Sequence, residues 1–134
     1  MWGEKMLMEI DFQSETPIYL QIRNQVVVGI AREEFEEGEN LPSVRQLAED
    51  TGVNAMTVSK AYSLLKDEGY ITTNRRNGTQ VNVKVKINEK YQIQLKETLL
   101  LLVAEAKIHG KTSEELSGLV QRYFEEFKQT NGEE

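Results

Sequence analysis

The residues with the clearest capacity for chemistry lie between positions 54 and 86, and they are basic, hydroxyl-bearing or small. This segment carries six basic residues and two acids, a net charge of +4, whereas segment 31–50 carries two basic residues and seven acids. The whole chain has 16 basic and 22 acidic residues and a net charge of −6. Because basic and hydroxyl side chains contact phosphates and base edges, segment 54–86 indicates a nucleic-acid contact surface.

One predicted helix concentrates these side chains on a single face. A helix that begins after the N-cap Asn54 and closes at Gly69 has one apolar face and one small, hydroxyl and basic face. The inward residues are Val58, Ala61, Tyr62 and Leu65. The outward residues are Ala55, Met56, Ser59, Lys60 and Ser63. The outward face contains no acid, which suits it to the major groove of DNA.

Two further helices are predicted ahead of this one. After Thr16-Pro17, apolar residues recur every four positions and predict an amphipathic helix that runs to about Phe35. The recurring residues are Ile18, Ile22, Val26 and Ile30. Ser43 stands three residues before Gln46, the spacing of a capping box, and predicts a second helix that ends at Gly52.

A β-hairpin is predicted after the third helix. The segments Tyr70–Thr73 and Thr79–Val85 alternate β-branched and polar residues around a polar turn. Arg75 and Arg76 lie in that turn, where they can reach backbone phosphate or a narrow minor groove. Three helices followed by a hairpin predict a winged helix-turn-helix, a mainly α fold with a small β-hairpin wing.

The connection between the second and third helices supports this fold but does not by itself establish a function. Ala48 is small enough for two helices to approach, Gly52 permits a sharp turn, and Val58 is placed to fix the crossing. The same spacing also fits a corner between two helices that serves packing alone. The acid-free outer face of the third helix favours the DNA-binding alternative.

Several motifs occur together at consistent distances. They are Gly38-Glu39-Asn40-Leu41-Pro42-Ser43-Val44-Arg45-Gln46-Leu47-Ala48, Gly52-Val53-Asn54, Thr57-Val58, Lys60-Ala61-Tyr62, Leu65, Glu68-Gly69-Tyr70-Ile71 and Gly78-Thr79. Over about residues 11 to 85 this pattern resembles the DNA-binding domain of the GntR family of bacterial transcription regulators. The segments Thr16-Pro17-Ile18-Tyr19 and Ser59-Lys60-Ala61-Tyr62 resemble its YtrA-like subgroup.

The resemblance implies a homodimer that binds double-stranded DNA sequence-specifically and acts as a repressor or an activator of transcription. Of the two we expect a repressor, and twofold symmetry predicts a palindromic operator. Carried over by position, both Ser43 and Arg45 lie at the start of the second helix, where Ser43 contacts phosphate and Arg45 contacts phosphate or a base edge. The other implied contacts, from the recognition helix and the wing, are Asn54, Met56, Thr57, Ser59, Lys60, Gly78 and Thr79.

This sequence departs from the family pattern at three positions. Family members often carry arginine where this chain has Ala55, which removes one base contact and predicts a different operator. The wing usually reads Gly-x-Gly-Thr-Phe, whereas Arg76 and Gln80 stand here in place of the first glycine and the aromatic residue. The geometry of the wing is therefore expected to differ from that of its relatives.

The last 48 residues predict two helices with excess apolar surface. The first helix carries two apolar stripes, one of which can alternatively pack within the chain, whereas the second, which includes Ile93 and Leu100, has nothing else to bury it. Together the two stripes exceed what one small domain can cover. We therefore divide the chain into an N-terminal extension (1–10), a winged helix-turn-helix domain (11–86) and a two-helix dimerisation domain (87–134). The predicted dimerisation residues are Tyr91, Leu95, Leu99, Leu102, Ala106, Leu116, Val120, Tyr123, Phe124 and Phe127.

Other function classes find little support in the sequence. The chain has no Gly-rich phosphate loop, no nucleophile-elbow motif and no His-Glu-x-x-His motif, so we do not expect an enzyme. It has no cysteine, and its single histidine, His109, precedes Gly110 at a helix end, so we expect neither a metal nor a cofactor. Two short helices are also too little to enclose a small-molecule pocket.

The remaining expectations concern location and an alternative function. The longest apolar run, Leu99–Ala104, has six residues and cannot span a membrane, and residues 1–10 lack the apolar core of a secretion signal. We therefore expect a cytoplasmic protein without a membrane partner. The alternative function is a winged-helix module whose third helix binds a protein instead of DNA. A gel shift that weakens with salt would favour DNA.

Overall fold

A computed structural model describes residues 9–129, so most of the predicted N-terminal extension and residues 130–134 lie outside the described residues. The elements are α1 (Ile18–Ala31), α2 (Val44–Thr51), α3 (Ala55–Asp67), β1 (Ile71–Asn74), β2 (Gly78–Val81), α4 (Glu89–Ile108) and α5 (Ser113–Gln129). The chain divides into two compact units between Val85 and Lys86. The predicted mainly helical fold with one antiparallel hairpin is confirmed.

The first unit holds a single core, built where α1, α2, α3 and the hairpin meet. The predicted inward face of α3 is confirmed, because all four of its residues are buried. From the other elements, Ile22, Val26, Leu47, Ile71 and Val81 complete the centre of this core. Packing of this kind holds α3 at a fixed angle to α2 with its opposite face exposed.

Side-chain caps determine where α2 and α3 begin. The Ser43 hydroxyl oxygen accepts a hydrogen bond from the backbone N–H of Gln46 at 3.0 Å, and the Asn54 side-chain oxygen accepts one from the N–H of Met56 at 2.7 Å. Gly52 ends α2 with φ 76°, a left-handed conformation that glycine adopts without steric cost. The short link from Gly52 to Asn54 is therefore the turn of the helix-turn-helix.

Helix α1 is shorter than the sequence predicts. The prediction extends it to about Phe35, whereas it ends at Ala31, and Glu33 adopts φ 60° two residues later. The chain turns at this point and brings the Phe35 side chain into the core, where it is 5% exposed. Burial of the aromatic ring outweighs the continuation of the helical pattern.

The hairpin pairs in the register Ile71↔Val81 to Asn74↔Gly78, with the turn at residues 75–77. Its second strand ends at Val81, so the prediction of a strand to Val85 is wrong beyond that residue. The backbone N–H of Val83 instead donates to the side chain of Glu37 at 2.8 Å, which takes the chain out of the ladder.

The second unit consists of α4 and α5, which do not pack side by side. Asn88 caps the start of α4, and Thr112 and Glu115 form the predicted capping box at the start of α5. The bond from the Thr112 N–H and the charge of Lys111 hold the pKa of the Glu115 carboxyl below its usual value. A groove of about 270 Å³ lies where the two helices join, small for a ligand pocket.

Candidate nucleic-acid interface

The predicted DNA-contacting face of α3 is open to solvent. Ala55, Ser59 and Lys60 are exposed, Met56 is 81% exposed, and Thr57 is half-buried at the edge of the face. Since Asn54 uses its side-chain oxygen to cap the helix, its amide N–H groups are the donors that remain for a ligand. The first two turns of α3 therefore present a compact, acid-free surface.

The start of α2 adds a hydroxyl and a guanidinium group. Ser43 accepts its capping bond through Oγ, which leaves the hydroxyl hydrogen to donate to a phosphate oxygen. Arg45 is exposed and forms no hydrogen bond or ion pair with any other residue in the range 9–129. Its five N–H donors are thus available for a phosphate or for the edge of a guanine.

Tyr62 connects the two helices of the motif, a role that the sequence does not predict. Its hydroxyl donates to the backbone oxygen of Pro42 at 2.8 Å, next to the α2 cap Ser43. Burial raises the pKa of Tyr62, so the phenol stays protonated and remains a donor. The bond joins the start of α2 to the middle of α3. It therefore fixes the candidate DNA contacts at the start of α2 relative to those on α3.

Tyr19 of α1 supports Lys60, a second contact that the sequence does not predict. The Lys60 ammonium nitrogen lies 4.1 Å from the centre of the Tyr19 ring, within the range of a cation–π interaction. The motif Thr16–Tyr19 is the one sequence signal that marks this tyrosine. The ring restricts the position of the lysine charge without neutralising it.

The wing carries the other two predicted cations. Arg75 and Arg76 are exposed in the turn, and neither forms a hydrogen bond or ion pair within the described part of the chain. Gly78 has φ 77° at the first position of β2, where a side chain would be strained. The Thr79 backbone oxygen accepts from the N–H of Leu41 at 2.9 Å, so the wing is joined to the segment just before Ser43.

An acid near the end of α3 is neutralised by α1. The Nε and Nη2 atoms of Arg23 donate to the two carboxylate oxygens of Glu68 at 2.9 and 3.1 Å. Arg23 also lies over the ring of Tyr70, 5.7 Å from its centre. This paired geometry anchors the junction between α3 and the wing.

The predicted dimerisation residues all lie in the second unit. No residue of α4 is buried within the described chain, so the alternative in which one of its stripes packs internally is wrong. Ala106, Leu116 and Phe127 are half-buried. The other predicted residues are exposed: Tyr91, Leu95, Leu99, Leu102, Val120, Tyr123 and Phe124.

The described residues contain neither a candidate metal site nor a membrane-spanning helix. Residues 9–129 contain no group of three or more His, Cys, Asp or Glu side chains placed to hold a metal ion. Across the same range, no helix is both long and apolar enough to cross a membrane.

A capped helix-turn-helix with an exposed basic face and a hairpin after it is a winged helix-turn-helix DNA-binding domain. Comparison with known families gives the same class, because residues 18–81 match the family described as bacterial regulatory proteins, gntR family. This chain belongs to the GntR family, whose members are transcription regulators and not enzymes.

Relatives from Bacillus subtilis match most of the chain. The HTH-type transcriptional repressor YtrA is 39% identical over 112 residues, which cover 82% of this chain and 86% of that protein. The HTH-type transcriptional regulator YhcF is 38% identical over 110 residues, which cover 81% and 91%. The similarity to YtrA confirms the resemblance inferred from the motifs.

Solved structures are similar as well. A transcriptional antiterminator from Listeria monocytogenes aligns with a TM-score of 0.85 and 27% identity, over 97% of each chain. YtrA from Sulfolobus acidocaldarius, a GntR-family transcription factor, aligns with a TM-score of 0.57 and 36% identity, over 72% of this chain and 98% of that one. The protein is therefore a DNA-binding transcription regulator of the GntR family.

Proposed function

We propose that the protein is a homodimeric repressor that binds a palindromic operator. The observation that carries the dimer is the apolar surface of α4, where Leu99, Leu100 and Leu102 are 50%, 73% and 47% exposed in the single chain. An apolar surface of this extent is stable when a partner covers it. The repressor role is supported by the similarity to a relative named as a repressor.

A second copy of the chain is the partner that fits a DNA-binding function. Two copies related by a twofold axis carry two recognition helices, which would enter the major groove about one helical turn, or roughly 34 Å, apart. The half-sites would then be inverted repeats. We accordingly assign residues 11–86 to DNA binding and residues 87–134 to dimerisation, and we place the protein in the cytoplasm with the DNA that it binds.

The proposed contacts follow from chemistry and exposure. Ser43 and Lys60 suit phosphate oxygens, since one offers a hydroxyl hydrogen and the other a point charge. Arg45 suits the O6 and N7 atoms of guanine, which accept a bidentate pair of hydrogen bonds. The remaining contacts are assigned to Asn54 at the cap of α3, to Met56, Thr57 and Ser59 on α3, and to Arg75, Arg76, Gly78 and Thr79 in the wing.

Arg45→Ala is expected to weaken binding to the operator by about 1–3 kcal/mol, with relaxed preference at one base pair. The operator is first obtained by selection from random duplex DNA, and affinity is then measured by fluorescence anisotropy. Arg45→Lys is the matched variant, because it keeps the charge and loses the planar fork. If Arg45 reads guanine, lysine restores general affinity but only part of the base preference. Unchanged affinity of Arg45→Ala would remove this residue from the interface.

Tyr19→Leu is expected to lower affinity for all DNA sequences about two- to fivefold, because the Lys60 charge loses its aromatic support, a contact of about 0.5–1 kcal/mol. Tyr19→Phe keeps the ring and should bind as the wild type does. The measurement is a double-mutant cycle by anisotropy: in a Lys60→Ala background, Tyr19→Leu should have no further effect. Equal effects in both backgrounds would show that Tyr19 acts on the fold and not through Lys60.

A further inference from the structure

The first turn of α3 exposes apolar side chains in the middle of the proposed DNA surface. Met56 is 81% exposed, and Ala55 beside it is exposed as well. The backbone of Met56 is fixed, because its N–H donates to the side chain of Asn54 at 2.7 Å. Hydroxyl and basic candidate contacts follow one turn further along α3, where Ser59 and Lys60 are exposed. When this surface binds DNA, the two apolar side chains are best matched by an apolar group on the DNA.

The major groove offers one apolar feature. Guanine presents the acceptors O6 and N7, cytosine a donor at N4, and adenine an acceptor at N7 and a donor at N6. Thymine presents the acceptor O4 and the C5-methyl group. Alanine has no polar side-chain atom, and the methionine thioether is only a weak acceptor. Among the groups on base edges, the methyl group is therefore the one that these two apolar side chains complement.

We propose that Met56, with Ala55 beside it, reads the C5-methyl group of thymine, so that each half-site carries a thymine at the base pair that faces the start of α3. This proposal rests on the proposed function, because it requires α3 to enter the major groove. Methionine is unbranched and polarizable, and it can adapt to a methyl group that projects into the groove. Ala55 contributes by its size, since a small side chain lets the start of α3 approach the base edges closely.

The experiment uses the full-length protein and removes the methyl group from DNA. Operator duplexes selected from random DNA are synthesised with uracil in place of thymine, one position at a time, and affinity is measured by anisotropy. Uracil keeps the hydrogen-bonding pattern and lacks the C5-methyl group. At the position read by Met56, the substitution should lower affinity about fourfold, the effect of one lost methyl contact. 5-Bromouracil, whose bromine fills the space of the methyl group, should restore it.

Variants at Met56 connect the effect to this side chain. In Met56→Ala the uracil penalty should disappear at that position and persist at any other sensitive position. Met56→Leu keeps an apolar side chain of similar size and should retain the penalty. Because Met56 is almost fully exposed, both variants should unfold thermally as the wild type does, which circular dichroism checks.

The outcomes separate this inference from the function on which it rests. A selected operator without a uracil-sensitive thymine, or with a penalty unchanged in Met56→Ala, overturns the reading of thymine and leaves the repressor proposal standing. Selection of guanine or cytosine at the position that Met56→Ala relaxes also overturns it. If selection yields no preferred site at all, both proposals are wrong, since no base pair is then read.

Discussion

Leu102→Asp is expected to convert the proposed dimer to a monomer at micromolar concentration and to lower operator affinity about a hundredfold or more. Leu102 lies on α4, where no side chain is buried in the single chain, so its apolar surface is available to a partner. A carboxylate placed in an interface between apolar helices costs several kcal/mol unless it is paired. Loss of the dimer then removes the gain from binding two half-sites together. Sedimentation velocity measures the first effect, and anisotropy measures the second.

The matched control for this variant is Gln94→Asp, which places the same charge on the same helix at a position that is already polar. It should remain a dimer and bind the operator as the wild type does. Leu102→Ala should fall between the two, with a weakened dimer. A monomeric wild type, or a Leu102→Asp variant that stays dimeric with full affinity, would contradict the assignment of α4 to dimerisation.

Much of the first unit could be predicted because local spacing determines it. Ser43 and Asn54 cap α2 and α3 through bonds to residues two or three positions ahead, and such bonds can be inferred from a short window of sequence. The apolar face of α3 recurs with the helical period and is buried as predicted. Both signals point to the same fold, and the comparisons with known proteins agree with it.

The errors occur where distant residues decide the local structure. Helix α1 ends early because Phe35 turns into a core made by residues far along the chain. Strand β2 ends early because the side chain of Glu37 takes the N–H of Val83 out of the ladder. A pattern of alternation or periodicity carries no information about such contacts.

The residue types of the candidate site and their exposure could be predicted from the sequence. The contacts that hold these side chains in position could not. Exposure of Met56, Ser59 and Lys60 follows from the face opposite the core. The contact of Lys60 with Tyr19 does not, because it joins two helices whose crossing is set by tertiary packing. The apolar stripes of α4 show the same limit, since periodicity indicates that a surface must be covered without indicating by what.

Removal of residues 87–134, the proposed dimerisation domain, is expected to leave a folded but weakly binding fragment. In segment 1–86 every residue of the hydrophobic core is retained, because that core runs from Ile22 to Val81. Its thermal transition should therefore be cooperative, as circular dichroism can show. Affinity for the full operator should fall by about 10²–10⁴, since the second half-site no longer benefits from linkage. The affinity of the fragment for a single half-site should equal the affinity of one DNA-binding domain of the intact protein for the same half-site.

A fusion of segment 1–86 to an unrelated dimeric coiled coil tests why the affinity is lost. If residues 87–134 act by joining two DNA-binding domains, the fusion should recover most of the lost affinity when its linker lets both domains reach their half-sites. Several linker lengths are needed, because a linker that cannot span the sites gives no gain. Tight operator binding by the unfused fragment would contradict the dimeric mechanism. Failure of every fusion, with half-site binding intact, would mean that α4 and α5 orient the two domains as well as join them.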